Sequence, residues 1–141
     1  MIEVIRREEP ALCFFLGDGE SELAAVRACY PDLPFYTVRG NCDLRSALPS
    51  ALSCIAGGVR IFASHGHLQG VKYDPALTEL LDAAGEADLV LFGHTHDPLL
   101  EQRRGKTVIN PGAIGRNKNA AYALLTVEGH EFHAEIKRVQ N

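Results

Sequence analysis

Short apolar runs along the chain alternate with segments of mixed polarity, and these runs predict β-strands. The run at residues 11–16 is uninterrupted and stops at Gly17, which is typical of a strand buried on both faces. Similar strands are predicted at residues 35–38 and 89–92. Apolar runs paired around glycine-containing turns predict three hairpins, formed by residues 52–55 with 59–63, 99–103 with 107–109, and 122–127 with 131–139.

The segments around the first strands have the composition of helices. Residues 1–9 end at Pro10, which cannot continue a helix, and residues 20–29 form a second helical segment. Residues 75–84 place a proline in the first turn, with Gly85 just beyond the end. Strands that alternate with helices and are followed by hairpins predict an α/β fold with a mixed sheet or two packed sheets. The length predicts a single domain spanning residues 1–141.

Polar side chains able to bind metal follow the ends of the predicted strands. They are Asp18, Asn41, His65 and the pair His94 and His96. Ligands of α/β folds collect at the carboxyl ends of strands, so we expect these side chains to converge at one rim.

Two of these residues also have a simpler interpretation. Considered by itself, Asp18 is expected to cap the helix that begins near residue 20. Considered by itself, Asn41 is expected to lie in a turn, because Asn tolerates left-handed backbone geometry. The histidines form two His-x-His pairs, each directly after a buried strand, and these pairs favour metal binding: His65 with His67, and His94 with His96.

The mixture of ligands indicates the metal chemistry. Imidazoles, a carboxylate and a carboxamide oxygen, without a thiolate cluster, suit divalent ions in an open, catalytic site. Mn²⁺ is the expected ion, and Fe²⁺, Ni²⁺ or Zn²⁺ also suit these ligands. One carboxylate among several imidazoles suggests that Asp18 bridges two ions. Two such ions can lower the pKa of a bridging water to about neutral and clamp the attacking and leaving oxygens, which predicts hydrolysis of phosphate esters.

Five short motifs occur in order between Leu16 and Gly112. They are Gly17-Asp18, Gly40-Asn41-Cys42-Asp43, His65-Gly66-His67, Gly93-His94-Thr95-His96 and Asn110-Pro111-Gly112. In order and spacing they resemble the motifs of the calcineurin-like metallophosphoesterases, and in particular those of the small bacterial and archaeal phosphodiesterases within that superfamily. The resemblance implies a sandwich of two mixed β-sheets flanked by helices.

The resemblance also implies a role for each site residue. Asp18 would bridge two metal ions, Asn41, His65 and His94 would hold the second ion, and His96 would hold the first. The candidate catalytic residues are Asn41, Cys42 and His67, with His67 contacting the substrate phosphate. The superfamily usually has histidine at the position of Cys42, where it aids departure of the leaving group. The cysteine favours activated diesters over alkyl monoesters, unless it is merely a tolerated small side chain.

The chain departs from the family at its start. The family opens with a strand ending in an Asp-x-His motif that supplies two ligands of the first ion, and no such motif lies upstream of Gly17. The first strand of the fold is therefore expected to be missing, either through a truncated or mis-started reading or through a natural loss. Only Asp18 and His96 remain for the first ion, so we expect at most one firmly bound ion and poor hydrolysis of phosphodiesters here, and two ions in the complete enzyme.

Charge and hydropathy narrow the function further. The N-terminal segment is charged and no apolar run is long enough to cross a bilayer, so the expected location is the cytoplasm. A net charge of −4 argues against wholesale nucleic-acid binding, which leaves a small phosphate-ester substrate as the expected partner. A homo-oligomer is compatible with the sequence.

Two other functions compete with this interpretation. The same fold with a degenerate metal site could act as a protein-binding scaffold. In that case the chain would resemble the retromer subunit of the superfamily. The missing Asp-x-His motif favours that reading, whereas the intact ligands of the second ion oppose it. A hydrolase of the metallo-β-lactamase type would need a His-x-His-x-Asp-His run, but Pro98 and Leu99 stand where its last Asp and His would be.

Overall fold

The computed structural model describes residues 1–115 and 119–139. In chain order its elements are α1 (Ile2–Glu8), β1 (Cys13–Phe15), α2 (Glu20–Cys29), β2 (Phe35–Thr37), β3 (Ala51–Ala56), β4 (Val59–Ser64), a 3₁₀ turn (His67–Gln69), α3 (Thr78–Ala84), β5 (Leu89–Phe92), β6 (Leu99–Arg103), β7 (Lys106–Asn110), β8 (Ala121–Glu128) and β9 (Glu131–Arg138). None of the helices in the described part of the chain is long and apolar enough to cross a membrane.

A five-stranded mixed sheet forms the centre of the molecule. Its strand order is β3-β4-β5-β7-β6, in which β4, β5 and β7 run parallel and the two edge strands run antiparallel to their neighbours. Beside it, β1 and β2 form a parallel pair, and β8 and β9 form an antiparallel hairpin. The predicted α/β class is confirmed, with the described strands divided among three hydrogen-bonded sheets.

Both faces of the central sheet are covered. On one face, Leu80 and Leu81 of α3 pack against a cluster that includes Val90 and Phe92 of β5. On the other face, Leu89 and its neighbours pack against partly buried side chains of β1, β8 and β9. Alternate residues of β5 therefore serve opposite cores, as the period of two along a strand requires. Each fully buried aliphatic side chain contributes about 1.5–3 kcal/mol to this packing.

The start of α3 differs from the prediction. The helix begins at Thr78 rather than at residue 75. The Asp74 carboxylate accepts hydrogen bonds from the backbone N–H groups of Ala76 (2.9 Å) and Thr78 (2.6 Å), so residues 75–77 form a turn around it. Leu77 has φ 56°, which a right-handed helix does not contain. The Asp74 side chain caps the helix, and the first helical residue is therefore Thr78 instead of the predicted residue 75.

The first predicted strand is also shorter than expected and only half-buried. It covers Cys13–Phe15, not residues 11–16, and its expected burial on both faces is wrong. The reason is its pairing: among the described residues β1 is hydrogen-bonded to β2 alone. The cross-strand pair of half-buried Phe14 and exposed Tyr36 is stacked, with ring centroids 5.3 Å apart.

Candidate metal centre

Four of the predicted metal ligands lie where parallel strands end. Asp18 and Asn41 come after β1 and β2, whereas His65 and His94 come after β4 and β5. The ligating atoms of Asp18, His65 and His94 lie within 4.8 Å of one another. Asn41 Oδ1 lies 3.0 Å from His65 Nε2. The structure therefore brings these four side chains together at one rim.

His65 is the centre of this group, and its tautomer can be assigned from its partners. The ring is 2% exposed, and its Nδ1 lies 2.6 Å from the carbonyl oxygen of Leu16. A carbonyl only accepts hydrogen bonds, so Nδ1 carries a hydrogen, and in the tautomer with its single ring hydrogen at Nδ1 the other nitrogen, Nε2, presents a lone pair. That nitrogen lies 3.0 Å from Asn41 Oδ1, 3.1 Å from His94 Nδ1 and 3.3 Å from Asp18 Oδ2.

This crowding of electron-rich atoms fits a divalent cation. The oxygens of Asn41 and Asp18 only accept hydrogen bonds, and they face the lone pair of His65 without a donor between them. A proton on the imidazole could serve one of these acceptors, whereas a divalent ion could be shared by all of them. Two imidazole nitrogens, a carboxylate and a carboxamide oxygen also form a donor set that suits such an ion.

Three predicted ligands occupy a strained backbone conformation. Asp18 has φ 60°, His94 has φ 66° and His96 has φ 62°, all in the left-handed region that non-glycine residues seldom adopt. Such conformations cost on the order of 1–3 kcal/mol each and persist only where the surroundings enforce them. At this rim, two loop elements surround these residues and hold their backbone conformations.

The first, which we term the acidic loop pair, consists of residues 17–20 and 40–43. Its two segments are joined by the carboxylate of Asp43, which accepts four backbone hydrogen bonds from Asp18, Gly19, Glu20 and Gly40. Partial burial opposes ionisation of Asp43, but these four donors outweigh it and lower the pKa of the carboxyl group to about 2. The Asp18 Oδ1 atom in turn accepts the N–H of Cys42 at 2.8 Å.

Two glycines allow the segments of the acidic loop pair to touch. A Cβ atom added at Gly40 would collide with the Asp18 carboxylate, and one added at Gly17 would stand 2.5 Å from the backbone nitrogen of Gly40. Gly17 also has φ 94°, a conformation open to glycine. The glycines that precede Asp18 and Asn41 are therefore required by the close contact of the two segments.

The second element, which we term the histidine loop, consists of residues 93–97. It is held by the side chain of Asn110, which is fully buried at the end of β7. Asn110 Nδ2 donates to the carbonyl oxygen of Gly93 at 3.0 Å and to Thr95 Oγ1 at 2.9 Å, while its Oδ1 accepts the N–H of Gly112 at 2.9 Å. The N–H of Gly93 also donates to the His65 carbonyl oxygen at 3.1 Å.

The structure does not place His96 with the other predicted ligands. Its side chain is exposed, and it is not among the residues whose ligating atoms converge on the rim. The loop turns between His94 and His96, because both residues have positive φ values. Alternation within the His-x-His motif therefore does not bring both rings to the same point.

The other two predicted site residues flank the cluster. The ring centroid of His67 lies 5.2 Å from that of His65, and its buried Nδ1 has no hydrogen-bond partner in the described residues. Burial foremost, and the neighbouring His65, lower the pKa of His67. Cys42 is exposed, and the negative charge of Asp18 foremost raises the pKa of its thiol, which stays protonated near neutral pH.

Reasoning from the sequence missed two residues that organise this rim. Asp43 and Asn110 belong to motifs quoted above, but neither was assigned a role. A buried asparagine at the end of an apolar strand, followed by Pro-Gly, is a signal that could have identified Asn110. Nothing in the sequence shows that the four donors of Asp43 come from two separate loops.

Comparison with known proteins identifies the family. The profile of the calcineurin-like phosphoesterase superfamily domain matches residues 1–130. The chain belongs to this superfamily. The resemblance inferred from the five motifs is thereby confirmed, and within the superfamily similar proteins are small metallophosphoesterases.

Two superfamily members have clear sequence similarity to the chain. The probable metallophosphoesterase YsnB of Bacillus subtilis is 36% identical over 131 residues, which are 89% of this chain and 75% of YsnB. The phosphodiesterase YfcE of Escherichia coli K12 is 34% identical over 101 residues, which are 62% of this chain. The matched region spans 50% of YfcE.

A solved structure from Thermotoga maritima shares the fold. That protein, determined by NMR in solution, is 27% identical and superimposes with a TM-score of 0.70 over 97% of this chain and 86% of its own. The fold of this chain is therefore found in a solved structure over nearly its whole length.

Proposed function

We propose that this chain binds divalent metal and hydrolyses a phosphate ester, with phosphodiesters as the preferred class. The observation that carries the proposal is the approach of Asn41, His94 and Asp18 to the lone pair of His65, all within 3.3 Å. The names of the Bacillus subtilis and Escherichia coli relatives support the same reaction class.

Different residues at the rim would hold the two ions. Asn41, His65 and His94 would hold one ion, His96 would help to hold a second, and Asp18 would contribute to both. Mn²⁺ is the ion we expect, with Fe²⁺, Ni²⁺ or Zn²⁺ as alternatives. When bound, such ions polarise the phosphate and activate water for in-line attack.

The protein's own groups prepare this site. The Leu16 carbonyl keeps the hydrogen of His65 on Nδ1, so that Nε2 remains a ligand. His67, neutral near pH 7 because burial foremost lowers its pKa, would donate a hydrogen bond to an oxygen of the substrate phosphate. The protonated thiol of Cys42 is a weaker proton donor than an imidazolium, which favours diesters with good leaving groups.

Metal counting beside turnover tests this proposal. We expect Mn²⁺-supplemented protein to retain one equivalent of metal by elemental analysis and to hydrolyse a chromogenic phosphodiester faster than the matching monoester. Asn41→Ala should lower both bound metal and turnover, because Asn41 is an exposed ligand whose loss spares the core. His133→Ala, an exposed histidine on β9, is the matched control. Equal metal content in the wild type and Asn41→Ala would contradict the assignment.

The scaffold function is the second candidate. Leu44 is 84% exposed next to the acidic loop pair, and Tyr73 is 90% exposed after the 3₁₀ turn, which offers apolar contacts to a protein partner. Protein that retains no metal and shows no hydrolysis with Mn²⁺, Zn²⁺ or Ni²⁺ supplied would favour this role. A cytoplasmic location, a small phosphate-ester substrate and a homo-oligomer stay predictions.

A further inference from the structure

The carboxylate of Asp43 joins two separate segments of the chain. Oδ2 accepts the N–H of Asp18 at 2.7 Å and the N–H of Gly40 at 2.8 Å. Oδ1 accepts the N–H of Gly19 at 2.9 Å and the N–H of Glu20 at 3.1 Å. Three of the four donors therefore belong to the segment after β1, and the fourth to the segment after β2.

These hydrogen bonds leave Asp43 no capacity to bind a cation directly. A carboxylate offers about four lone-pair sites, and backbone donors occupy all of them. Consistent with this, Asp43 is absent from the group of ligating atoms that converge on the rim. Any influence of Asp43 on a bound ion must act through the residues that it holds.

One of the residues that it holds, Asp18, belongs to the cluster, and another, Gly40, directly precedes Asn41. Asp18 would carry an unsatisfied N–H in its left-handed conformation if Asp43 did not accept it. With its backbone fixed, Asp18 uses Oδ1 to accept the N–H of Cys42, and it directs Oδ2 to within 3.3 Å of His65 Nε2. The same contact with Cys42 fixes the residue that follows Asn41.

We propose that Asp43 is a positioning residue that sets the directions of Asp18 and Asn41 before any ion binds. This inference rests on the proposed function, since it requires that the cluster binds a divalent ion. It differs from simple helix capping, although Asp43 does accept the N–H groups of Gly19 and Glu20 at the start of α2.

Asp74 supplies the matched control for the capping role. Its carboxylate accepts the backbone N–H groups of Ala76 and Thr78 at the start of α3, and it is not among the converging ligands. Asp43→Asn and Asp74→Asn therefore make the same chemical change, each at the start of a helix. Only Asp43→Asn alters a side chain that holds the backbone of Asp18 and of Gly40, the residue before Asn41.

The test uses Co²⁺, whose visible absorption spectrum reports the geometry of its ligands. We expect Asp43→Asn to weaken Co²⁺ binding at least tenfold and to change the spectrum, as loss of a residue that orients ligands commonly does. Asp74→Asn should lower the melting temperature of the metal-free protein and leave both Co²⁺ readouts unchanged. If Asp43→Asn does not fold, Asp43→Glu keeps the charge with a longer reach, and a changed Co²⁺ spectrum is expected there.

The outcomes separate this inference from the proposed function. Wild-type protein that fails to bind Co²⁺ overturns both. Wild-type protein that binds Co²⁺, with Asp43→Asn showing the same affinity and spectrum, overturns the positioning role alone and reduces Asp43 to a helix cap. Equal losses of affinity in Asp43→Asn and Asp74→Asn would also overturn it, because a general loss of stability would then explain both.

Discussion

The acidic loop pair and the histidine loop supply ligands to the same rim, but they are built differently. In the acidic loop pair, one carboxylate accepts four backbone hydrogen bonds, and the Asp18 side chain adds a fifth contact to Cys42. The histidine loop is held by one buried amide, which contacts Gly93 and Thr95, and by a single backbone hydrogen bond from Gly93 to His65. His96 lies beyond that support and is exposed. Hydrogen bonds thus hold the acidic loop pair throughout. In the histidine loop, the hydrogen bonds of Asn110 hold Gly93 and Thr95 but not His96.

The largest effect should follow from removing the ligand that the histidine loop contributes. We expect His94→Ala to weaken Mn²⁺ or Co²⁺ binding on the order of a hundredfold or more, because an open site has few ligands to spare. Isothermal titration measures this, with His133→Ala as the control. His96→Ala should have a much smaller effect in this chain. If His96→Ala weakened binding as much as His94→Ala, the contrast drawn along this loop would be wrong.

The next effect concerns the support of the histidine loop. Asn110→Ala removes three hydrogen bonds at a fully buried position and should destabilise the fold by about 2–4 kcal/mol in denaturant titrations. Metal affinity should fall about tenfold as well, since the loop that carries His94 loses its anchor. Gln102→Ala, at an exposed position on the neighbouring edge strand, serves as the control. Unchanged metal affinity in folded Asn110→Ala protein would show that the histidine loop keeps its conformation without Asn110.

A smaller effect is expected at the exposed thiol of the acidic loop pair. Cys42→His should raise kcat/KM for alkyl phosphate esters severalfold more than for nitrophenyl esters, because a proton donor helps where departure is difficult. The ratio of the two rates is the measurement, and Cys29→Ser, at another exposed cysteine, is the control. An equal change on both substrates would limit Cys42 to a packing role.

The smallest effect lies away from both loops, where Glu8 of α1 accepts hydrogen bonds from Tyr122 at 2.5 Å and Lys137 at 3.1 Å. The Tyr122 hydrogen bond foremost, and then that of Lys137, lower the pKa of Glu8 from 4.5 to about 2. A depressed carboxyl pKa adds stability above pH 4.5 that is lost as the pH falls towards 2. Glu8→Gln should lower the melting temperature slightly at pH 7, and the difference from wild type should vanish near pH 2.

Metal affinity at pH 7 should be the same in Glu8→Gln and in the wild type. This variant therefore shows whether a loss of affinity elsewhere reflects the rim itself. Weaker metal binding in Glu8→Gln would mean that global stability, not local support, governs the site.

Much of this architecture could be predicted from the sequence, for a physical reason. Apolar runs that end in glycine mark strands, and strand ends gather polar residues, so Asp18, Asn41, His65 and His94 could be placed at one rim. The position of His96 could not, because its direction depends on two positive φ values within a loop. The role of Asp43 depends on contacts between segments that are distant in sequence, and no local pattern encodes such contacts.

The contact between Gly17 and Gly40 limits how this protein can change over evolution. Any side chain at Gly40 meets the carboxylate of Asp18, and any side chain at Gly17 meets the backbone at Gly40. A second substitution cannot relieve either clash, because the obstructing atoms are main chain or a proposed ligand. At Gly105 and Gly129, apart from the adjoining residues, no atom in the described part of the chain lies within 4 Å of an added Cβ, so substitution there is opposed by the positive φ of the backbone. Divergence should therefore accumulate at these turn tips, while the paired glycines can only be kept or lost together with the site.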